Sequence, residues 1–559
     1  MRVIKASTIY TMDEHGTRAE AMAFEQGRLC AVGSFEAVMQ AAGESPEVLD
    51  LGEQIVTPGF IDAHLHLSFG AVYQGAIDCG PAAAPSIDAL VTKLIENSAT
   101  QSPGSWVIGF GYDELKFSER RHPTRHELDI AFPDRPAFLM HFTCHEGVAN
   151  SRALELAQIS RASKDPIGGV IVKDKKGNPT GRLLENAMGP VEVMASRELL
   201  ARDEKMFLAR LKAYEEMLFS FGVTRIADLV VPPPMEALYR TIHAEGLLKI
   251  PVVMMPVGAA GYLNPPLDRL DGARTGEGHE TLRVGPMKLF FDGASSCGIC
   301  LSMGQLFGAT MEFAKLFVRH RSFSFLKDMR PISMRLGRDL HVHAGACYYP
   351  DVASARSNVT KVAEHSFGVA VHAIGNEAIL MAVQALEGQK HPTSQPLRIE
   401  HAVFLEKETA KRVADAGIML VMQPHFISHF GDGTVPKLPG LALVGLRTAL
   451  DAGCVIAGSS DAPVTAPNPL LALRSAVTRR VGEAVFLPEE AVSAEEVLQM
   501  YTRNAARSIG CLDVTGSLEV GKRADFVVLS ADPCKVTPSR LEELKVRQTF
   551  LAGEVVYLG

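Results

Sequence analysis

Thr57 to His66 reads TPGFIDAHLH, an apolar run that ends in a His-x-His pair. Side chains of an extended strand alternate between faces, so Asp62, His64 and His66 share one side and two imidazoles can grip one metal ion. A bare pair of histidines at this spacing is common in proteins. Its context gives it weight here: an apolar strand, Gln54 to Ile61, carries Pro58-Gly59 and leads into the small, loop-like Ser68-Phe69-Gly70. That arrangement puts the imidazoles at the C-terminal end of a strand, where α/β barrels hold their chemistry.

A site of this kind needs further strand ends to complete it. Apolar, β-branched segments recur between amphipathic helices, the pattern of a parallel sheet. Eight are read: Gln54 to Ile61, Val223 to Asp228, Pro251 to Pro256, Met287 to Asp292, Gly368 to His372, Arg398 to His401, Ile418 to Gln423 and Cys454 to Gly458. Polar residues collect at or just past their C-terminal ends, namely His64 and His66, His372, His401 and Asp461, and Lys288 lies on the fourth strand. Strand ends of one barrel converge on one spot, and several histidines with an aspartate are the donor set that zinc-like ions take.

Around this middle, short strands are read at both ends of the chain. Val3 to Met12, Ala21 to Glu25 and Arg28 to Val32 stand at the start; Asp525 to Leu529, Gln548 to Leu551 and Val555 to Leu558 stand at the finish. The fold expected is an α/β, (β/α)8 TIM-like barrel over 58–509, with a small β-sandwich formed by both termini, 1–57 and 510–559. The stretch between the first two barrel strands is too long for one crossover. It reads as an inserted subdomain at about 67–202, holding a ninth strand at Ala137 to Phe142 and a glycine-rich hairpin at Ile167 to Gly181. Ser493 and Glu496 form a capping box that opens a helix to Arg507.

The 559 residues exceed a bare barrel of roughly 250, and the 47% hydrophobic and 21% charged content describes a globular enzyme with ample core. A net charge of −8 without a Lys/Arg stripe argues against a nucleic-acid partner. The N-terminus lacks a signal-type apolar region and no stretch reaches the roughly 20 apolar residues of a membrane span, so a cytoplasmic protein without a membrane partner is expected. Nine scattered cysteines favour reduced thiols, and the single CxxC at Cys297 and Cys300 is a poor metal signal without a second pair.

Taken in order, TPGFIDAHLH, the Lys288-containing MKLFFDG, VAVHAIGN, RIEHAV and GSSDAPV resemble the amidohydrolase superfamily. IYTMDEHGTRAEAMAFEQGRLCAVG near the start and GSLEVGKRADFVVL near the end extend the likeness over almost the whole chain. The branch most similar contains N-substituted formamide deformylases, within amidohydrolase family 3. The resemblance implies a metal-dependent hydrolase of a non-peptide C–N bond, acting on a small-molecule N-acyl or N-formyl amine. It places His64 and His66 on one Zn2+ ion, His372 and His401 on a second, and Lys288 as a carbamylated bridge between them. Asp461 serves as a ligand beside the reacting water and as general base and acid. His145, in HFTCHEGVANS, matches a histidine that reaches the site and either binds the carbonyl or closes the pocket. One or two zinc ions are implied, two being favoured.

Two features depart from that pattern. Ser295 to Pro350 is long and irregular and holds a rival pair, His341 and His343, in DLHVHAG; the apolar run there is too short for a core strand and reads as a loop. Asn376 stands where related sequences often carry aspartate, which affects an outer contact and not the ligands. Within the same superfamily a deaminase or cyclic-amide hydrolase is the alternative, and a non-catalytic binding relative is a third. Phe291, Leu306, Phe307, Met311 and Phe313 point either to an apolar substrate group or to core packing. A homodimer is left open.

Overall fold

The computed structural model describes residues 1–202, 204–257, 269–294, 297–320, 334–337, 340–389, 396–430 and 438–559. All eight expected middle strands are present: Phe60–Leu65, Val223–Val231, Val252–Pro256, Met287–Phe290, Val369–Ala373, Arg398–His401, Met419–Met422 and Ile456–Gly458. The segment read as one strand at Gln54 to Ile61 divides. Ile55–Pro58 joins the terminal sheet, and the barrel strand starts after Gly59 and runs through His64 to Leu65. Gly59 makes this passage possible, because a Cβ there would lie 2.1 Å from the Thr224 hydroxyl oxygen.

The fold is α/β and TIM-barrel-like, and among the described residues the strand pairing falls into two sets, not one closed ring. Three of the strands form a parallel set from Phe60–Leu65 through Val223–Val231 to Val252–Pro256, and five form a second from Met287–Phe290 to Ile456–Gly458. At one seam a parallel bridge pairs Val257 with Lys288. At the other, Asp461 N donates to His64 O and His66 N to Ala462 O, both at 2.8 Å. Period-two alternation is visible in the packing: Ile61 and Ala63, Ala227 and Leu229, Val253 and Met255, and Met419 and Val421 enter one buried cluster. Asp62 and His64 therefore project from the opposite face.

The strands of the two termini do pair. They make one continuous eight-stranded sheet in which Ile55–Pro58 lies between Arg2–Tyr10 and Phe526–Leu529. The ninth strand, Ala137–His141, belongs to a separate six-stranded sheet built from residues 77–185, and the glycine-rich hairpin is its Gly169–Lys173 and Pro179–Glu185 edge. One face of that sheet (Val107, Leu139, Val148) packs under helix Ile87–Ser98, and the other (Ile108, Phe138, Met140) joins the main core. The capping box at Ser493 and Glu496 is formed, and the helical run it opens reaches Ser508 through a π turn at Met500–Asn504.

His343 lies in a strand, and His341 precedes it outside any regular element. Val342–Ala344 is a short strand of a three-stranded antiparallel sheet with Ile299–Leu301 and Met334–Leu336, apart from the barrel strands. The three-residue pairing needs no long apolar run because the sheet is only half-buried. No described helix is long and apolar enough to cross a membrane, and the nine cysteines are all unbridged.

Candidate active site

Every residue expected at the site lines one cavity of about 290 Å3: His64, His66, His145, Lys288, His372, His401 and Asp461. Five imidazoles form a continuous arc. Ring centroids lie 5.3 Å apart between His66 and His64, 4.7 Å between His64 and His401, 4.5 Å between His401 and His372, and 5.4 Å between His372 and His145.

Hydrogen bonds fix which nitrogen of each ring faces inward. His64 Nδ1 is 2.7 Å from Glu400 Oε2, His66 Nδ1 donates to Leu229 O at 3.1 Å, and His401 Nδ1 is 3.0 Å from Gln423 Oε1. With Nδ1 committed, Nε2 is left as the ligand atom in all three. Asp461 Oδ1 stands 3.0 Å from His66 Nε2 and 3.2 Å from His64 Nε2, and the three side chains can close on one ion. Asp461 reaches them from a left-handed backbone, φ 57°, and His401 does likewise with φ 74°. Such strain in non-glycine residues is held where surrounding structure demands it.

Burial suits these groups to metal. It pulls His64, His372 and His401 below the usual histidine range, and the Lys288 charge adds to the effect, so all three are neutral donors. Lys288 is buried, and burial drives its amine down to about 8. It makes no hydrogen bond or ion pair among the described residues; its Nζ sits 5.1 Å from the Phe290 ring centre. Asp292, a candidate partner for it, is instead used by backbone N–H groups of Gly298, Ile374 and Gly375. Burial would raise the Asp461 carboxyl, but His64 and His66 override this and keep it ionised.

The donor set fits a divalent ion on a further observation. The Nε2 atoms of His64 and His372 are fully buried with no hydrogen-bond partner among the described residues; His64 Nε2 lies 3.2 Å from Asp461 Oδ1, outside hydrogen-bond direction. Two buried nitrogens aimed into a nest of carboxylate and imidazole form a donor set that suits a divalent cation.

Sequence reasoning misjudged some neighbours. Asp62 shares the histidines' side of the strand, but its Oδ1 accepts from the backbone N–H of His64 and of Ser460. Glu400 holds His64 instead, and its signal was present: Arg398 and Glu400 alternate with Ile399, so opposite charges share one face of an apolar strand. Glu185 was also missed. Its Oε2 is 2.6 Å from His145 Nδ1 and accepts from the Tyr348 hydroxyl at 3.1 Å. Burial lowers His145, but Glu185 outweighs it and raises the imidazole overall. Asn376 grips the Cys300 backbone in both directions, at 2.9 and 2.8 Å.

The apolar wall of the cavity is built from residues other than Phe291, Leu306, Phe307 and Met311, for which core packing was the other reading. It comes from Phe69 and Val72 on helix Leu67–Tyr73, Leu200 on helix Gly189–Arg202, and Met235 and Leu238 on helix Pro233–Ala244. Phe307 and Met311 are exposed and Phe291 packs on Tyr349; the side chain of Phe313 lies outside the described residues.

A TIM-barrel-like fold with metal donors at its strand ends defines a class of hydrolases. The chain belongs to the amidohydrolase family, whose profile matches residues 47–557. It is 31% identical to the N-substituted formamide deformylase of Arthrobacter pascens, over 100% of this chain and 98% of that one. An uncharacterized metal-dependent hydrolase from Pyrococcus horikoshii shares its fold, with a TM-score of 0.68 at 23% identity, over 96% of this chain and 99% of that one. The atrazine chlorohydrolase TrzN of Arthrobacter aurescens, complexed with zinc, overlays with a TM-score of 0.51 at 16% identity, covering 99% and 95% of the two chains.

Proposed function

We propose that the protein is a metal-dependent hydrolase that cleaves the C–N bond of an N-formyl or N-acyl amine. The observation that carries this is the convergence of five histidines, Lys288 and Asp461 from separate strand ends and one turn on a single apolar-walled cavity. Similarity to a formamide deformylase supports the bond type. His64, His66 and Asp461 would hold one ion, and His372 and His401 a second, with Lys288, as a carbamate, between them. Zinc is the metal favoured by these donors. A divalent ion here supplies Lewis acidity and lowers the pKa of a coordinated water from about 15.7 towards 7.

The chain's own residues do the rest. Asp461 Oδ1 accepts a proton from the attacking water and delivers it to the leaving amine nitrogen. His145, its Nδ1 held by Glu185, donates through Nε2 to the carbonyl oxygen as negative charge develops there. Phe69, Val72, Leu200, Met235 and Leu238 take an apolar substituent of the substrate and exclude water. The strands at residues 67–202 act as an inserted subdomain whose turn at Thr143 to His145 covers the barrel, and the termini supply a composite β domain.

The test is metal quantification on purified protein joined to amine release from a panel of N-formyl and N-acyl amines. Release of amine with about two zinc ions per chain supports the assignment. Metal-free protein with full activity would sink it.

A further inference from the structure

A second cluster of titratable side chains lies in the six-stranded sheet. Val107–Tyr112 and Ala137–His141 are parallel neighbours with Tyr112 opposite His141. Just past their C-terminal ends, Asp113, Glu114 and His141 bring ligand-type atoms within 4.8 Å of one another. Glu146 opens the next strand, and His122 approaches from the segment before helix Arg125–Ala131. His141 Nε2 is 2.9 Å from Glu114 Oε2, and His122 Nε2 is 3.5 Å from Glu114 Oε1 and 3.9 Å from Glu146 Oε2. Two carboxylates bracket two imidazoles.

One atom in this arrangement is unaccounted for. His122 is only 7% exposed, yet its Nε2 has no hydrogen-bond partner among the described residues. Its Nδ1 faces the Tyr112 hydroxyl at 3.3 Å, so Nε2 is the atom turned to the carboxylates. A buried nitrogen left unpaired keeps its full desolvation cost. With its proton on Nδ1, the Nε2 lone pair faces two anionic groups, an arrangement that a cation between them relieves. Arg182 stands beside the cluster, its Nε 2.7 Å from Glu146 Oε2. Burial lowers His122, which keeps it a neutral donor.

We propose that Glu114, His122, His141 and Glu146 form a second divalent cation site, separate from the catalytic one and of the zinc class that mixed imidazole and carboxylate donors take. Arg182 orients Glu146 from outside the ligand set. The site anchors the turn from His141 to His145. His141 Nδ1 is 2.7 Å from Thr143 Oγ1, and Thr143, Cys144 and His145 all line the catalytic cavity. One end of a five-residue turn is thus held by this cation and the other presents His145 to substrate.

The experiment is anomalous diffraction at the zinc edge on crystals of the full chain grown with zinc chloride, with zinc counted per chain in solution. A peak enclosed by Glu114, His122 and His141 is expected, together with a loss of one zinc per chain in Glu114→Gln and in His122→Ala. The diffraction arm needs no variant, so a substitution that fails to fold leaves the test intact. No peak at the cluster, with unchanged zinc in folded Glu114→Gln, overturns the proposal and leaves a structural ion-pair network.

Discussion

His64 and Glu400 meet in the floor of the site: His64 Nδ1 lies 2.7 Å from Glu400 Oε2, and neither side chain reaches solvent. Arg398 binds the same carboxylate through Nε and Nη2, at 2.6 and 2.9 Å, while its guanidinium also donates to Ala63 O and Ser508 O. One buried carboxylate therefore sets the tautomer of His64 and ties the first barrel strand to the sixth.

That relationship predicts an acid-sensitive contribution to stability. Burial opposes ionisation of Glu400, but Arg398 and the His64 hydrogen bond override it and hold the carboxyl far below its ordinary 4.5. A carboxyl depressed in the folded state contributes stability that is present above its unfolded value and lost as pH falls through the folded one. Glu400→Gln leaves Arg398 buried without its counter-charge, at a cost of about 3–5 kcal/mol near neutral pH. Denaturant midpoints of the two proteins should differ widely at pH 7 and draw together below pH 4.5. A gap that stays constant would show that Glu400 is not the ionised partner.

The cavity-lining His64, His66, His372, His401 and Asp461 were legible because each stands at or just past the end of an apolar strand, and strand ends of such folds converge by topology. The terminal strands were legible by the same alternation. What escaped was set by docking between distant segments. Glu185 reaches His145 from a hairpin that no local pattern aims at the barrel, and the apolar wall comes from three helices whose cavity-facing sides are fixed only when the six-stranded sheet seats on the core. His343 was hidden for another reason: a three-residue strand in a half-buried sheet leaves almost no periodicity to read.

Asp461→Asn removes a proton carrier and keeps a side chain of the same shape. Because His64, His66, His372 and His401 remain, metal content should stay near that of wild type while turnover falls about 10²–10⁴-fold. Zinc per chain and the rate of amine release, measured on the same preparation, check this. Retained hydrolysis would remove Asp461 from its assigned role.

His341→Ala combined with His343→Ala should leave zinc content and kcat/KM close to wild type. His343 Nδ1 pairs with Glu377 Oε1 at 2.9 Å on a partly exposed sheet, and such a pair contributes about 0–1 kcal/mol. A loss of zinc in the double variant would mean that the rival pair is a ligand site.

Lys288 gives a prediction with a definite pH sign. Carbamate formation needs the neutral amine, and burial lowers this lysine from 10.5 to about 8. By that value roughly a tenth of the amine is neutral at pH 7, against about one in three thousand for an ordinary lysine. The neutral fraction then falls about tenfold for each further pH unit of acid. Reconstitution of metal-stripped protein with zinc should therefore depend on added bicarbonate and slow about tenfold between pH 7 and pH 6 at fixed dissolved CO2. Lys288→Met should take up less zinc and show no response to bicarbonate. Equal reconstitution of the wild type with and without bicarbonate, in buffers freed of CO2, would leave Lys288 an unmodified lysine and count against the bridged two-ion site.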